Sequence, residues 1–149
     1  MELDEIDREI LRILQQDART PFSEIARQID MSSATVHERV GRMEDAGVIE
    51  GYHAKVDPAE VGFATEAFVG VRVEQGYEEE IVPRLRELEP VREIHLIAGK
   101  LDMILRVQAQ SRDELRELVF DRLGKIDGFA RTNTMVILGT EYDEEGLPI

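Results

Sequence analysis

The chain has 149 residues, 32 acidic and 18 basic, with a formal net charge of −14 and no cysteine, so disulfides, thiolate zinc sites and thiol nucleophiles are excluded together. At roughly 150 residues per domain the length allows one domain or two small ones. No apolar run approaches the ~18 residues of a membrane span, and Met1–Leu14 lacks the basic-then-apolar order of a signal peptide, so a cytoplasmic protein with no membrane partner is expected.

The first 50 residues are predicted as three helices. Asp4 can cap the first, and Ile6, Ile10, Ile13 and Leu14 recur at helical spacing. Thr20-Pro21 predicts the start of the second, with Thr20 as capping hydroxyl and Pro21 at the first helical position. Its inner face is Ile25, Ala26 and Ile29. Asp30 then falls where a left-handed residue must end the helix, and Ser32 is the next capping hydroxyl. The third helix carries Val36, Val40 and Met43 and stops at Gly47. From Val48 through Tyr52, Ala54 and Val56 an extended stretch predicts a wing or linker strand. Three short helices with a tight second turn define a helix-turn-helix.

After Gly62 the period changes. Ala67, Val69, Val71 and Val73 alternate with Phe68, Gly70 and Arg72, which predicts a strand. A helix follows over Glu78 to Leu88, with Pro83 placed to kink it or delay its start. Glu78-Glu79-Glu80 reads as favourable charge at that helix N-terminus. Strands are predicted over Val91–Ala98 and Met103–Val107 around a Gly99-Lys100-Leu101-Asp102 turn. A helix capped by Ser111 and a last strand over Phe129–Leu138 complete the set. The fold class expected is therefore α+β, a winged helix-turn-helix followed by a ferredoxin-like βαββαβ domain. The divisions are 1–60, 61–140 and an acidic, loose tail over 141–149.

If Val36, Val40 and Met43 face the core, a 100° step per residue turns Ala34, Thr35, Glu38 and Arg42 outward, with Ser33, His37 and Arg39 on the flanks. Together with Ser32 at the cap, these are side chains that can reach base edges and phosphates in a major groove. The opposing physical fact is the charge. Each part of the chain on either side of Glu60 is net acidic by the same amount, so binding must use local cations, for which Arg27, Arg39, Arg42 and Lys55 are available. An even acidic coat with only three Lys also fits life in molar salt, where the Debye length is about 3 Å.

These residues carry a resemblance. Leu3-Asp4-Glu5-Ile6-Asp7, Glu24-Ile25-Ala26, Ser32 to Arg39, Gly47-Val48-Ile49 and Gly51-Tyr52 resemble the winged helix-turn-helix of the Lrp/AsnC transcription regulators. Gly99-Lys100-Leu101-Asp102 sits where that family has a Gly-x-aromatic-Asp turn, and Arg131-Thr132-Asn133-Thr134 where it has an Arg-Thr-x-Thr strand. The resemblance implies double-stranded DNA as partner and dimers built through the ferredoxin-like half, often assembled into octamers. It also implies a small-molecule effector, usually an amino acid, between those halves. Carried over by position, the effector residues become Gly99, Lys100, Asp102, Met103, Thr132 and Thr134. Leu101 in place of the aromatic, and Lys100 in place of a frequent acid, leave the effector's identity open.

Catalysis and metal binding find little support. His37, His53 and His95 lie in three different elements, and no triad spacing is present. Sirohaem decarboxylases resemble this architecture but carry an Arg-Arg pair soon after Gly-Val-Ile; here Glu50-Gly51-Tyr52 follows. No enzyme activity, cofactor or metal is therefore expected. The competing reading is a metabolite sensor that works through a protein partner without DNA. Oligomerisation is expected on physical grounds as well. A ~60-residue unit buries only about 60% of its unfolded surface, and one apolar sheet face is left for a partner to cover.

Overall fold

The computed structural model describes residues 1–144 and 146–149, with the Glu78 side chain also outside the description. The chain divides into two compact units, one formed by Met1–Ala54 with Tyr142–Ile149 and the other by Lys55–Glu141.

The first unit holds α1 (Glu5–Gln16), α2 (Phe22–Gln28) and α3 (Ser33–Asp45). Asp4 caps α1 through a reciprocal box: its carboxylate accepts from the Asp7 N–H at 2.8 Å, and Asp7 accepts from the Asp4 N–H at 3.2 Å. The α2–α3 turn uses Asp30 at φ +53°, the one non-glycine residue of positive φ among those described, as its spacing required. Ser32 then caps α3 by accepting from the Thr35 N–H at 3.1 Å. Gly47, at φ +69°, ends α3 with two closing bonds: its own N–H to the Glu44 carbonyl and that of Val48 to Met43. Ile10, Ile25, Val36, Val40 and Met43 are fully buried between the three helices.

Three expectations in this unit require correction. Pro21, not Thr20, stands at the N-cap of α2, and no side chain caps it. The Thr20 hydroxyl instead donates to the Asp17 carbonyl at 2.8 Å, so it closes the preceding turn. Nor is there a strand between Val48 and Pro58: Val48 and Ile49 form a bend, residues 50–57 take no regular structure, and no strand among the described residues pairs with them. The tail is also not loose, because Tyr142–Ile149 packs with the helices of this unit.

The second unit is a four-stranded antiparallel sheet, β1 (Thr65–Val73), β2 (Val91–Leu96), β3 (Met103–Ala109) and β4 (Phe129–Val136), in the order β2-β3-β1-β4. Helix α4 (Glu78–Arg86) connects β1 to β2. Between β3 and β4 run α5 (Arg112–Glu117), a π turn over Leu118–Arg122 and a 3₁₀ turn over Leu123–Lys125. This is the ferredoxin-like order expected from the alternation of periods. Helix α4 begins at Glu78 and continues past Pro83, which lies on its exposed side, so neither a late start nor a break occurs there. Glu79 and Glu80 are exposed in its first turn. Ser111 caps α5, accepting from the Glu114 N–H at 3.2 Å.

One sheet face carries the core. Ala67, Val69 and Val71 of β1 and Met103, Leu105 and Val107 of β3 pack under Ile81, Leu85, Leu115, Leu118 and Leu123, all buried. The other face bears no helix-side core residues. Phe68 and Met135, cross-strand partners on it, are 38% and 42% exposed.

Candidate functional site

Two regions bring the predicted site residues together. The first is the exposed side of α3. Ser32, Ser33, Ala34, His37, Glu38 and Arg42 are exposed, and Thr35 is half-buried. Val36, Val40 and Met43 are fully buried on the opposite side, as the helical step requires. The Ser32 and Thr35 hydroxyls are 2.8 Å apart, so part of their hydrogen-bonding capacity serves the cap. The His37 ring meets Phe22 edge-on at a centroid distance of 5.6 Å, which ties the outer side of α3 to α2.

Arg39 departs from the expectation of a free phosphate ligand. Its guanidinium lies 2.8 Å from Asp4 and 2.7 Å from Asp7, its side chain is only 19% exposed, and Asp7 itself is buried. The pair joins α3 to the start of α1. The Asp7 N–H and the Arg39 guanidinium hold the Asp4 carboxyl below its usual range. Arg27 is likewise occupied, donating to Glu24, whose carboxyl is lowered to about 2 by Arg27 and then Gln28. Arg42 is the most available cation on α3: its side chain is 54% exposed, and its nearest acid, Asp7, is 3.7 Å away. The buried carboxylate that claims Arg39 was missed in the sequence, although Asp4 and Asp7 stand in a legible capping pattern.

The second region is the turn between β2 and β3 with the neighbouring end of the sheet. Gly99 has φ +144°, a conformation other residues adopt with difficulty, and Lys100 is exposed. Asp102 is half-buried and already engaged. Its Oδ2 accepts from the Val73 N–H at 2.8 Å, and its own N–H donates to the Val71 carbonyl at 2.9 Å. One carboxylate oxygen and the main-chain N–H of Asp102 therefore anchor the turn to β1. The Met103 side chain is buried in the core, so only its main chain can line a site here. Thr132 pairs with Val71 and Met103 with the same Val71 from the opposite side. The two are thus about 10 Å apart within one chain, separated by β1. Thr132 is half-buried and Thr134 exposed on edge strand β4.

Two features of this unit were not foreseen. Leu101 folds over Gly70, where an added Cβ would lie 2.5 Å from the Leu101 Cδ1 atom, so the turn rests on a glycine in β1. Arg106 also donates to Glu66 at 2.6 Å and to Glu93 at 2.8 Å, and Glu93 bonds the His95 ring at 2.8 Å. His95 thus has the carboxylate neighbour that the sequence did not reveal. Among the described residues no group suited to a metal ion occurs. His95 and then Arg106 hold the Glu93 carboxyl below its ordinary value of 4.5. A carboxylate depressed in the folded state stabilises it fully above the unfolded value and loses that contribution as pH falls through the folded one. An NMR titration of Glu93 is expected to show a midpoint below 4.5 that rises in His95→Ala; a midpoint at or above 4.5 contradicts the network.

A helix-turn-helix in one unit and a ferredoxin-like sheet in the other are the two parts of a DNA-binding protein with a ligand-binding domain. Residues 3–50 match the family model for winged helix-turn-helix DNA-binding, and residues 66–147 match the Lrp/AsnC ligand binding domain. The HTH-type transcriptional regulator FL11 of Pyrococcus abyssi is 34% identical over 147 residues, 99% of this chain and 97% of that one. The regulator LrpA of Pyrococcus horikoshii is 35% identical, covering 91% and 96%. Among solved structures, AsnC of E. coli superposes with a TM-score of 0.91 at 28% identity, covering 96% and 97%. The chain belongs to the Lrp/AsnC family of transcriptional regulators.

Proposed function

We propose that this chain is a cytoplasmic, sequence-specific DNA-binding regulator whose DNA binding or assembly responds to an amino acid. In this reading residues 1–60 bind DNA and residues 61–140 bind the effector and form a homodimer, with octamers as the larger assembly. The observation that carries it is the exposed side of α3, where Ser32, Ser33, Ala34, Thr35, His37, Glu38 and Arg42 follow one another from a capped N-terminus. Arg39 serves this surface from behind, by fixing α3 against α1.

For the effector, Gly99, Lys100, Asp102, the Met103 main chain, Thr132 and Thr134 are the proposed contacts. The free oxygen of Asp102 suits an α-ammonium, while hydroxyls and N–H groups suit a carboxylate. Since β1 separates Thr132 from the turn within one chain, a site using both groups is most simply completed across two protomers. The partly apolar face around Phe68 and Met135 supports such pairing. The even acidic surface and the scarcity of Lys support operation in molar salt.

The test is fluorescence anisotropy on duplex DNA from upstream of the protein's own gene, with each L-amino acid added in turn. Saturable binding is expected, with at least one amino acid shifting its midpoint. Amino-acid binding by a folded protein that retains no DNA would favour the sensor acting through a protein partner.

A further inference from the structure

We infer that the face of the helix-turn-helix unit formed by α1 and residues 48–53 is a peptide-docking surface whose occupant is the chain's own Leu147-Pro148-Ile149. Beside the tail an open cavity of about 680 Å³ remains, bounded on one side by Leu3, Leu11, Leu14, Val48 and Ile49 and on the other by Leu147 and Ile149 themselves. Ile149 packs against the same hydrophobic cluster that holds Ile10 and Val40.

The polar contacts are those of a recognised main chain. The Gln15 amide reads Leu147 in both directions, Nε2 donating to its carbonyl at 3.3 Å and Oε1 accepting its N–H at 2.6 Å. This is the pairing that a neighbouring strand would supply, delivered by one side chain. Arg12, itself held by Glu5 at 3.0 Å, donates through Nε to the Ile149 main-chain oxygen at 2.5 Å. Pro148 has no N–H to satisfy, and the Ile149 N–H donates to the Leu147 carbonyl at 2.9 Å. The resulting tight turn doubles the chain back and delivers the Ile149 side chain to the groove.

The ligand-binding-domain match runs through residue 147, yet packing assigns 142–149 to the helix-turn-helix unit. The tail therefore packs a half-buried Ile149 against that unit's core from outside, while the Leu147 side chain stays 71% exposed. A three-helix unit of this size has little apolar surface to bury, so even a half-buried Ile149 adds to the contacts that hold it. Residues 137–146 connect β4 to the docked segment, and from Tyr142 onward they belong to the helix-turn-helix unit. Occupancy of the groove is thus a route from β4 to the reading helix. That consequence rests on the regulatory reading above, whereas the docking does not.

Hydrogen exchange on the full chain tests the docking without DNA. Ile149→Asp is expected to speed exchange in α1 and residues 48–53 by about tenfold while leaving β1 and β3 unchanged. Ile149→Leu, which keeps the apolar contact, should retain wild-type protection. Unchanged exchange in α1 for Ile149→Asp, or an equal rise in β1 and β3, overturns the inference. So does protection that falls on dilution of the wild-type protein, since the occupant would then come from a second copy.

Discussion

Arg39→Ala is expected to lower the stability of the helix-turn-helix unit by about 2–4 kcal/mol. The reason is the company it leaves behind. Asp7 is 1% exposed and receives Arg39 at 2.7 Å; without it, the carboxylate keeps one N–H at 3.2 Å and the Arg42 guanidinium at 3.7 Å. Removing one partner of a buried pair typically costs about 3–5 kcal/mol, and the approach of Arg42 offsets part of it. Urea denaturation followed by hydrogen exchange in α1 and α3 would report the loss. Replacing both partners, as Asp7→Leu with Arg39→Leu, should recover most of it, since no charge is then buried alone. If Arg39→Ala leaves stability within about 0.5 kcal/mol yet abolishes DNA binding, Arg39 contacts DNA directly and its assignment here fails.

DNA binding is expected to depend on salt less steeply than in a basic regulator. Each neutralised phosphate contributes about −0.9 to the slope of log affinity against log salt. On this surface Arg39 is occupied by Asp4 and Asp7 and Arg27 by Glu24, leaving Arg42 as the principal cation of α3. With one further contact from elsewhere, a dimer would neutralise about four phosphates and give a slope near −3.6. A tenfold rise in KCl would then weaken binding by about 10³- to 10⁴-fold, where eight contacts would give a slope of about −7. The weaker dependence suits a protein of net charge −14, whose own repulsion from DNA is screened by the same salt. A measured slope steeper than about −6 would show that further cations reach the backbone.

The parts of this molecule that were legible in its sequence are those decided within a few residues. The Asp4 box, the left-handed Asp30, the Ser32 cap and the Gly47 stop each depend on a local backbone requirement. The sheet order followed from a change of period from helical to alternating, and the strands fell close to where alternation placed them. What escaped was set at long range. Val48 through Val56 has residues suited to a strand, but a strand needs a partner, and no strand among the described residues pairs with it. Arg39 reads as a free cation until α1 arrives with Asp7, 32 residues earlier in the chain. The docked tail meets Gln15 across 132 residues, beyond any local pattern. Met103 is different, because its signal was present. It starts the run Met103, Leu105, Val107, and strand parity alone places its side chain with theirs in the core.

The central claim is that α3 reads DNA through its exposed side. It is tested most directly by anisotropy titration of wild type and Arg42→Ala on the protein's own upstream duplex in molar KCl. Arg42 lies on the exposed side and is not the main partner of Asp7, so the variant should stay folded and lose about 1–3 kcal/mol of binding, a roughly 5- to 150-fold weakening. Equal affinity for the two proteins, or no saturable binding by folded wild type, would contradict the account.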